Sequence, residues 1–252
     1  MSAAEYMPAI SDEQARQFET EGWFLLECSI ENRLLDLARG ELQGLIDDAN
    51  AELDVAQTDQ LGRTIRGCRY YLHNRYRDRP RLSEFLFSDI NRAICEKIIG
   101  PSSYLYWETF QTKWPGVSNR FAWHQDSAYV PVPHDSYVTI WCALDDMTAA
   151  NGALRVLPYS RAGTKELVEH QPIDGGPALC GYFGSDPGDL VPCPAGSIVV
   201  FSSTMLHCSD ANTTDSVRRA YVVQFSPERI TMPDGAPIGF TEPFPATLSV
   251  GR

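Results

Sequence analysis

One histidine of the sequence, His124, stands two residues before an aspartate, in the segment FAWHQDSAY. Residues i and i+2 of a β-strand point to the same face, so the imidazole of His124 and the carboxylate of Asp126 can converge on one metal ion. Gln125, between them, then points to the opposite face. The spacing alone is a weak signal, because a hydrogen-bonded histidine and aspartate at the end of a strand would show the same pattern.

A third metal ligand is available in His207, which follows the apolar run 198–201 in the segment STMLHCSDAN. Two strands distant in sequence can be neighbours in an antiparallel sheet, and two histidines with one carboxylate leave three positions of an octahedral ion open. This is the ligand set of non-haem Fe(II) oxygenases. The alternatives are a zinc hydrolase that uses a metal-bound water and, for His207 alone, a hydrogen-bonded core histidine.

Two arginines, Arg218 and Arg219, begin eleven residues after His207. The guanidinium is a rigid fork of donors that matches a carboxylate, so an arginine on the next strand is suited to a dicarboxylate whose other end chelates the metal. Ser209, on the same strand face as His207, could add a hydroxyl hydrogen bond. Strand alternation does not decide between the two arginines, and the alternative for Arg218 is a solvated charge at the end of the strand.

The elements that must position these residues change in type near residue 100. Before it, Ser11 and Gln14 form a capping box for a helix that ends near Gly22, and apolar spacing predicts helices over about 31–51 and 80–100, with a short strand at 24–26. After it, short apolar runs predict β-strands, namely Tyr104–Phe110, Ala122–His124, Tyr137–Leu144, Leu154–Leu157, Ile198–Phe201 and Arg219–Phe225.

This order predicts one domain over 1–252, with a helical part at about 11–100 and a sandwich or barrel of strands at about 101–227 that carries helices on its outer face. The segment 171–196 contains five prolines and six glycines and is predicted to be a long loop, of the kind that often acts as a lid. Eight aromatic residues could line a pocket or belong to the sandwich core: Tyr104, Tyr106, Trp107, Phe110, Trp114, Phe121, Trp123 and Tyr129.

The composition limits the classes of function. With 33 acidic against 21 basic residues the formal net charge is −12, which argues against a general nucleic-acid binder. No stretch approaches the roughly 18 apolar residues of a membrane span, and the first ten residues lack the basic and apolar regions of a signal peptide. The seven cysteines form no CxxC pair, as expected of reduced, buried thiols. The sequence predicts a cytoplasmic protein that acts on a small molecule.

Taken together, the motifs W-H-Q-D, N-G-A-L-R-V-L-P and H-C-S-D-A-N-T-T, with an arginine eleven residues after the second histidine, resemble the phytanoyl-CoA dioxygenase family over about residues 15–227. The resemblance implies a mainly β fold with flanking α-helices and a double-stranded β-helix, which is a jelly-roll, cupin-like core. It implies an Fe(II)- and 2-oxoglutarate-dependent dioxygenase that uses O2 and releases succinate and CO2. It assigns His124, Asp126 and His207 to iron, Arg218 to the far carboxylate of 2-oxoglutarate, and Ser209, Trp141 and Thr109 to the lining of the co-substrate site.

Two positions refine the implied chemistry. Where the family often has P-G-S-H after N-G-x-L, this sequence has P-Y-S-R at 158–161, so an easy left-handed turn is lost and Arg161 could face the substrate. Asp126 is retained, whereas halogenating relatives lose this carboxylate, which favours hydroxylation over halogenation. Desaturation or epoxidation with the same cofactors, and a non-catalytic jelly-roll binding module, are the alternatives.

Seven arginines, one third of all the basic residues, lie between Arg63 and Arg81. This arginine segment also holds Tyr70, Tyr71 and His73, and it could meet an anionic group of the substrate, such as a carboxylate, phosphate or phosphonate. The alternative is a solvated surface segment paired with the many acids. If an arginine here binds the substrate, we expect alanine at one of three positions to raise KM for the substrate more than KM for 2-oxoglutarate: Arg66, Arg69 or Arg75.

Overall fold

A computed structural model describes residues 9–116, 120–173 and 178–245. Residues 1–8, which belong to the segment without a signal-peptide pattern, and residues 174–177 of the predicted loop lie outside these ranges. The α-helices of the described residues are α1 (Asp12–Glu21), α2 (Asn32–Val55), α3 (Leu82–Leu86), α4 (Asp89–Ile98) and α5 (Tyr159–Ala162). None of them is both long and apolar enough to cross a bilayer.

The helix boundaries follow local hydrogen bonds. The predicted capping box of α1 is present, since the side chains of Ser11 and Gln14 each accept from the other's backbone N–H, and Gly22 closes the helix with a φ of 85°. The single helix predicted over 80–100 is instead two helices. Ser88 between them is extended, and the buried side chain of Asn91 donates to the carbonyls of residues 85 and 86, which ends α3 one turn into the predicted helix.

Fifteen short strands occur in the described residues: β1 (Trp23–Leu26), β2 (Gln60–Leu61), β3 (Thr64–Ile65), β4 (Tyr71–His73), β5 (Tyr104–Lys113), β6 (Phe121–His124), β7 (Val138–Ala143), β8 (Leu154–Leu157), β9 (Gln171–Pro172), β10 (Leu179–Cys180), β11 (Asp189–Val191), β12 (Ile198–Ser202), β13 (Leu206–Ser209), β14 (Arg218–Ser226) and β15 (Glu242–Pro243). The larger sheet has the order β1-β12-β7-β14-β5-β15, with β4 also paired to β5, and the smaller sheet has the order β11-β8-β13-β6. These antiparallel sheets form the predicted jelly roll.

Alternate side chains of β7 fill two separate cores. Ile140 and Cys142 pack with the buried leucines of α2 and with apolar residues of α3 and α4, so these helices cover one face of the larger sheet, as predicted. Trp141 and Ala143 belong to a second core, which also contains Val156 of β8 in the smaller sheet. A central strand that is buried on both faces is expected to be mainly apolar, and β7 is apolar except for Thr139.

The segment 171–196 is not one long loop, as the sequence predicted. β9 pairs with β10, and β11 pairs with β8, where Asp189 lies opposite Val156. Strands of two or three residues are too short to show alternation, and the surrounding prolines and glycines are typical of loops, so the pairing was missed. The larger sheet also extends beyond the expected core at 101–227, because it includes β1 and β15.

Candidate active site

The three predicted metal ligands lie side by side where β6 and β13 pair. His207 is directly opposite His124, the last residue of β6. The sequence predicted Asp126 on the same strand as His124, but Asp126 instead begins a 3-10 turn over Asp126–Tyr129. Because Gln125 is still extended, the carboxylate nevertheless points toward the histidines. Oδ1 of Asp126 lies 3.8 Å from Nε2 of His124 and 3.6 Å from Nε2 of His207. All three ligand atoms lie within 4.8 Å of one another.

Each histidine is held by a backbone carbonyl through the nitrogen that does not face the aspartate. Nδ1 of His124 lies 2.7 Å from the carbonyl oxygen of Ala122, and Nδ1 of His207 lies 3.0 Å from that of Met205. Because a carbonyl can only accept, Nδ1 carries a proton in both rings, and Nε2 is the nitrogen placed to bind a metal ion. Burial, and then the neighbouring His207, lower the pKa of His124 well below its ordinary value, which keeps this imidazole neutral.

The carboxylate of Asp126 is oriented by the larger sheet. Its Oδ2 accepts hydrogen bonds from Oγ1 of Thr139, at 2.8 Å, and from Nε2 of Gln224, at 2.9 Å. These bonds occupy Oδ2 and leave Oδ1 toward the histidines, in the way that hydrogen bonds to metal-binding carboxylates fix their orientation. Two imidazole nitrogens and one carboxylate oxygen on one side of a cavity are a donor set that fits Fe(II).

Gln125 points away from the ligands, as predicted, and fastens them to a neighbouring loop. Its Nε2 donates to the carbonyls of Glu166, at 2.9 Å, and Thr204, at 2.5 Å, while its Oε1 accepts from the backbone N–H of Val168 at 2.8 Å. Its own backbone N–H donates to Nε2 of His170 at 3.1 Å. The residue between two of the predicted metal ligands is therefore fully hydrogen-bonded, mainly to the segment 166–170.

The three ligands line a cavity of about 570 Å³. The sequence assigned four further residues to the co-substrate, and all of them contribute to this wall: Arg218, Ser209, Trp141 and Thr109. Of the eight aromatic residues considered from the sequence, Tyr106, Trp107, Phe121 and Tyr129 line the cavity, and Trp123 lines a neighbouring one. Phe110 and Trp114 instead pack in the core beneath the helices. The cavity therefore has a largely aromatic wall.

Arg218, rather than Arg219, faces this cavity. It is 1% exposed; its Nη2 donates to the carbonyl of Gly152 at 3.1 Å, and its Nε and Nη1 have no hydrogen-bond partner among the described residues. Arg219 is instead paired with Asp145, whose Oδ2 lies 2.9 Å from Nε of Arg219. Burial lowers the pKa of Arg218 to about 10, so the side chain is still charged at neutral pH. A buried guanidinium with two unused donors fits one carboxylate of 2-oxoglutarate.

Lys113 is a residue of this region that the sequence analysis did not single out. It is the last residue of β5, directly opposite Arg218, and it is also 1% exposed. Its Nζ donates to Oγ of Ser209 at 2.7 Å and to the carbonyl of Asp210. A lysine at the end of a strand is ordinarily solvated, so no sequence pattern marks it as buried.

The arginine segment is mostly a paired surface, and one of its arginines reaches the cavity. Arg63 lines it and lies over the rings of Tyr71 and Tyr129, at 5.3 and 5.4 Å from their centroids. Arg69 donates to the carbonyl of Arg63 and lines the neighbouring cavity of about 830 Å³. The others pair with acids: Arg66 with Asp54 and Asp59, Arg75 with Glu52 and Asp78, Arg77 with Glu242, Arg79 with Asp48, and Arg81 with Glu41.

Arg161 does not face the cavity, in contrast to the expectation from the P-Y-S-R sequence. Its guanidinium is paired with the carboxylates of Asp186 and Asp189. Tyr159 begins the short helix α5, is buried, and contacts Oγ1 of Thr204 through its hydroxyl at 2.8 Å. The left-handed residue of this turn is Gly163, with a φ of 72°, so the tyrosine needs no positive φ.

The family model described as phytanoyl-CoA dioxygenase (PhyH) matches residues 18–220. A phytanoyl-CoA dioxygenase domain-containing protein 1 homolog of Caenorhabditis briggsae is 30% identical over 44% of this chain and 42% of its own length. The Dictyostelium discoideum homolog is 21% identical, over 86% of this chain and 91% of its own length. A 2-aminoethylphosphonate dioxygenase of an uncultured bacterium is 28% identical over 56% of this chain and 53% of its own length. The chain thus spans about half the length, or less, of two of these three relatives.

Solved structures share the fold at lower identity. The non-haem α-ketoglutarate-dependent carbocyclase SnoK from nogalamycin biosynthesis superposes with a TM-score of 0.69 at 20% identity, covering 92% of this chain and 94% of that chain. EctD from S. alaskensis, solved with 2-oxoglutarate and 5-hydroxyectoine, has a TM-score of 0.67 at 19% identity, covering 100% of this chain and 90% of that chain. These superpositions confirm the jelly-roll fold.

Proposed function

The chain belongs to the phytanoyl-CoA dioxygenase family of 2-oxoglutarate-dependent non-haem iron dioxygenases, and we propose that it hydroxylates an unactivated C–H bond of an anionic small molecule, with release of succinate and CO2. One observation carries the proposal. A charged guanidinium with two unused donors, that of Arg218, is buried in the wall of the same cavity that the His124, Asp126 and His207 side chains line. A zinc hydrolase or a non-catalytic binding module would leave this buried charge without a function.

His124, Asp126 and His207 would hold Fe(II). When bound, the iron supplies the activation of O2 coupled to the oxidative decarboxylation of 2-oxoglutarate. The chain itself orients the reactants: Arg218 receives the distal carboxylate of 2-oxoglutarate, and Trp141 and Thr109 border it. The aromatic wall excludes water from the reacting atoms.

The substrate proposal rests on Arg63. Among the described lining residues of the cavity, Arg63 and Arg218 are the two cationic side chains, and Arg218 is assigned to the co-substrate. Stacking on Tyr71 and Tyr129 holds the guanidinium of Arg63 at the wall, where it can pair with a carboxylate, phosphate or phosphonate while the rest of the substrate contacts aromatic rings. The similarity to a protein named 2-aminoethylphosphonate dioxygenase agrees with an anionic substrate.

Hydroxylation is favoured over halogenation because Asp126 keeps both of its sheet hydrogen bonds and so remains a fixed ligand. Desaturation and epoxidation would use the same residues. Mass analysis of the product separates desaturation, which removes two hydrogen atoms, from hydroxylation and epoxidation, which each add one oxygen atom. Proton NMR of the product then distinguishes a hydroxyl group from an epoxide.

The test begins with anaerobic calorimetric titration of the Fe(II)-loaded protein with 2-oxoglutarate, followed by aerobic measurement of succinate. We expect 2-oxoglutarate to bind, and small carboxylates, phosphates or phosphonates of one type to stimulate succinate release above the substrate-free rate. His207→Ala is the control and should release no succinate. Failure of 2-oxoglutarate to bind would contradict the proposal, and stimulation by cationic but not anionic compounds would contradict its substrate class.

A further inference from the structure

Two buried basic side chains lie side by side at the cavity, Arg218 in its wall and Lys113 behind the wall. They form a directly opposed pair in the register of β5 and β14, and each is 1% exposed. Neither forms a hydrogen bond to a carboxylate within the described residues: Arg218 bonds to a carbonyl, and Lys113 to a carbonyl and a hydroxyl. Two basic groups in one buried site cannot both be charged at little cost without an anion, so this arrangement is suited to a ligand that brings negative charge.

The acid whose backbone contacts Lys113 does not neutralise it. Asp210 offers Lys113 its backbone carbonyl, while its carboxylate is paired with Arg120 at 3.0 Å and Arg155 at 3.1 Å. The glycine of the N-G-A-L-R-V-L-P motif closes the same site from the other side. At Gly152, whose φ is 79°, a β-carbon would lie 2.3 Å from the carbonyl oxygen of Asp210 and 3.1 Å from Nζ of Lys113.

The hydrogen bond between Lys113 and Ser209 determines where the serine proton can go. A protonated lysine has three donors and no acceptor, so at 2.7 Å it must donate to Oγ of Ser209, and the hydroxyl hydrogen of Ser209 must then donate elsewhere. Ser209 and Arg218 both line the cavity, whereas Lys113 is not part of its wall. The free direction of the hydroxyl is therefore available to a ligand held by Arg218.

The charge of Lys113 depends on what occupies that site. Burial, and then the positive charge of Arg218, lower its pKa to about 6. The other groups that act on it are Asp210, Cys208 and Arg120, of which the first two raise the value and Arg120 lowers it. At pH 7.5 the free protein therefore holds Lys113 mainly neutral, and a carboxylate beside Arg218 favours the ammonium form.

We propose that Lys113 is a positioning residue for the co-substrate: it takes a proton from solvent when 2-oxoglutarate binds, and the resulting ammonium turns the Ser209 hydroxyl toward the distal carboxylate held by Arg218. This inference rests on the proposed binding of 2-oxoglutarate at Arg218. No bond to the co-substrate forms or breaks in this step. One proton moves from the buffer to Nζ of Lys113, and the second cation offsets the charge of the entering dianion.

The test is anaerobic calorimetric titration of the Fe(II)-loaded protein with 2-oxoglutarate at pH 7.5, in phosphate and in Tris buffer, whose ionisation enthalpies differ. We expect the wild type to take up close to one proton for each 2-oxoglutarate bound, and its Kd to rise up to about tenfold per pH unit above pH 7. Lys113→Met should take up almost no proton and bind about tenfold more weakly, as expected from the loss of a charge-assisted interaction.

A thermodynamic cycle with Ser209→Ala shows whether Lys113 acts through the serine. In the Ser209→Ala background, we expect Lys113→Met to weaken binding by less than about threefold, because the hydroxyl that the lysine orients is gone. Equal effects of Lys113→Met in both backgrounds would contradict this route and assign the lysine a general structural role.

Two results of the titration separate the inference from the proposed function. If the wild type binds 2-oxoglutarate without proton uptake and with a pH-independent Kd, the inference is wrong while the proposed function stands; this measurement needs no variant and holds even if Lys113→Met does not fold. If the wild type does not bind 2-oxoglutarate at all, the proposed function and the inference are both wrong.

Discussion

Arg66 and Arg218 carry the same side chain in opposite surroundings. Arg66 lies in the arginine segment and is paired with two exposed carboxylates, those of Asp54 and Asp59, at 2.6 and 3.0 Å. Arg218 is buried, and it contacts a carbonyl and an aromatic ring but no carboxylate among the described residues. The density of charge in the sequence draws attention to the first arginine, whereas the buried position of the second makes it the arginine that we propose binds the co-substrate.

The difference shows which kind of charge indicates a ligand. A surface ion pair contributes little to stability and needs no further partner, so the arginine segment can be accounted for mostly by the acids of the same chain. A buried charge without a counter-ion destabilises the folded protein, so its presence indicates that something outside the chain compensates it. Arg63 lies between these cases, because it belongs to the segment and also lines the cavity.

The largest expected effect comes from removing the buried charge. Arg218→Met should raise the Kd of 2-oxoglutarate by about 100-fold, since a buried, hydrogen-bonded charge pair loses one partner. Without 2-oxoglutarate the same variant should melt at a higher temperature than the wild type, because an uncompensated buried cation has been removed. Calorimetry and thermal unfolding measure the two effects.

Arg219→Met is the matched control. It removes a guanidinium one residue away that is paired with Asp145, so it should lower the free energy of unfolding by about 1 kcal/mol and leave the Kd of 2-oxoglutarate unchanged. If Arg218→Met and Arg219→Met bound 2-oxoglutarate with equal Kd, Arg218 would have no special role in binding the co-substrate.

Glu108 sharpens the comparison because it is a buried charge that does have partners. Its Oε1 accepts from the backbone N–H groups of Arg75 and Tyr76, which ties the arginine segment to β5. Burial nevertheless raises its pKa from 4.5 to about 7. Because the folded-state value is the higher one, the folded protein binds this proton more tightly, and the contribution of Glu108 to stability falls as pH rises from about 4.5 to 7.

Glu108→Gln should therefore be more stable than the wild type at pH 8, by about 2 kcal/mol, and the difference should shrink toward pH 5. The amide oxygen can still accept from the two backbone donors. Urea unfolding of both proteins at pH 5 and pH 8 measures the difference. Parallel stability profiles for the two proteins would show that Glu108 does not titrate in this range.

Arg63→Ala tests the intermediate case. It should raise KM for an anionic substrate by about tenfold, as expected when one charge-assisted hydrogen bond is lost, with less change in KM for 2-oxoglutarate. Steady-state kinetics with each substrate varied in turn measure the two constants. A larger change in KM for 2-oxoglutarate would assign Arg63 to the co-substrate instead.

The smallest effects belong to the paired arginines. Arg66→Ala and Arg75→Ala should change the free energy of unfolding by less than about 1 kcal/mol and leave KM for the substrate unchanged, because both side chains contact acids and neither lines the cavity. This revises the expectation from the sequence, which included both residues among the substrate-binding candidates. A tenfold rise in KM for either variant would restore that expectation.

Much of the site could be predicted because its signals are local or lie in motifs. The H-x-D spacing, the later histidine and the arginine eleven residues beyond it led to His124, Asp126, His207 and Arg218, which the structure brings to one cavity. The fold and the dioxygenase class implied by the family resemblance are confirmed by the family match and by the structural neighbours.

The remainder depends on burial, which spacing does not encode. The choice between Arg218 and Arg219 is made by the pairing of β14 with its neighbours, and the position of Lys113 by the pairing of β5 with β14. The two short helices in place of one depend on a buried asparagine that bonds to carbonyls of the preceding helix. The positions of Arg218 and Lys113 are thus decided by tertiary contacts, and the helix break by local hydrogen bonds that the apolar spacing does not show.

The hydrogen bonds of Gln125 have a consequence for how this enzyme could be redesigned. They join the segment 166–170 to the residue between two of the proposed iron ligands, so grafting a different loop there would displace these side chains together with the cavity. The hairpin formed by β2 and β3 borders the cavity through Leu61, Gly62 and Arg63 and contains none of the proposed iron ligands. Substrate preference can therefore be diversified at the hairpin while iron chemistry is kept, whereas variation at the loop requires Gln125 and its partners to change in concert.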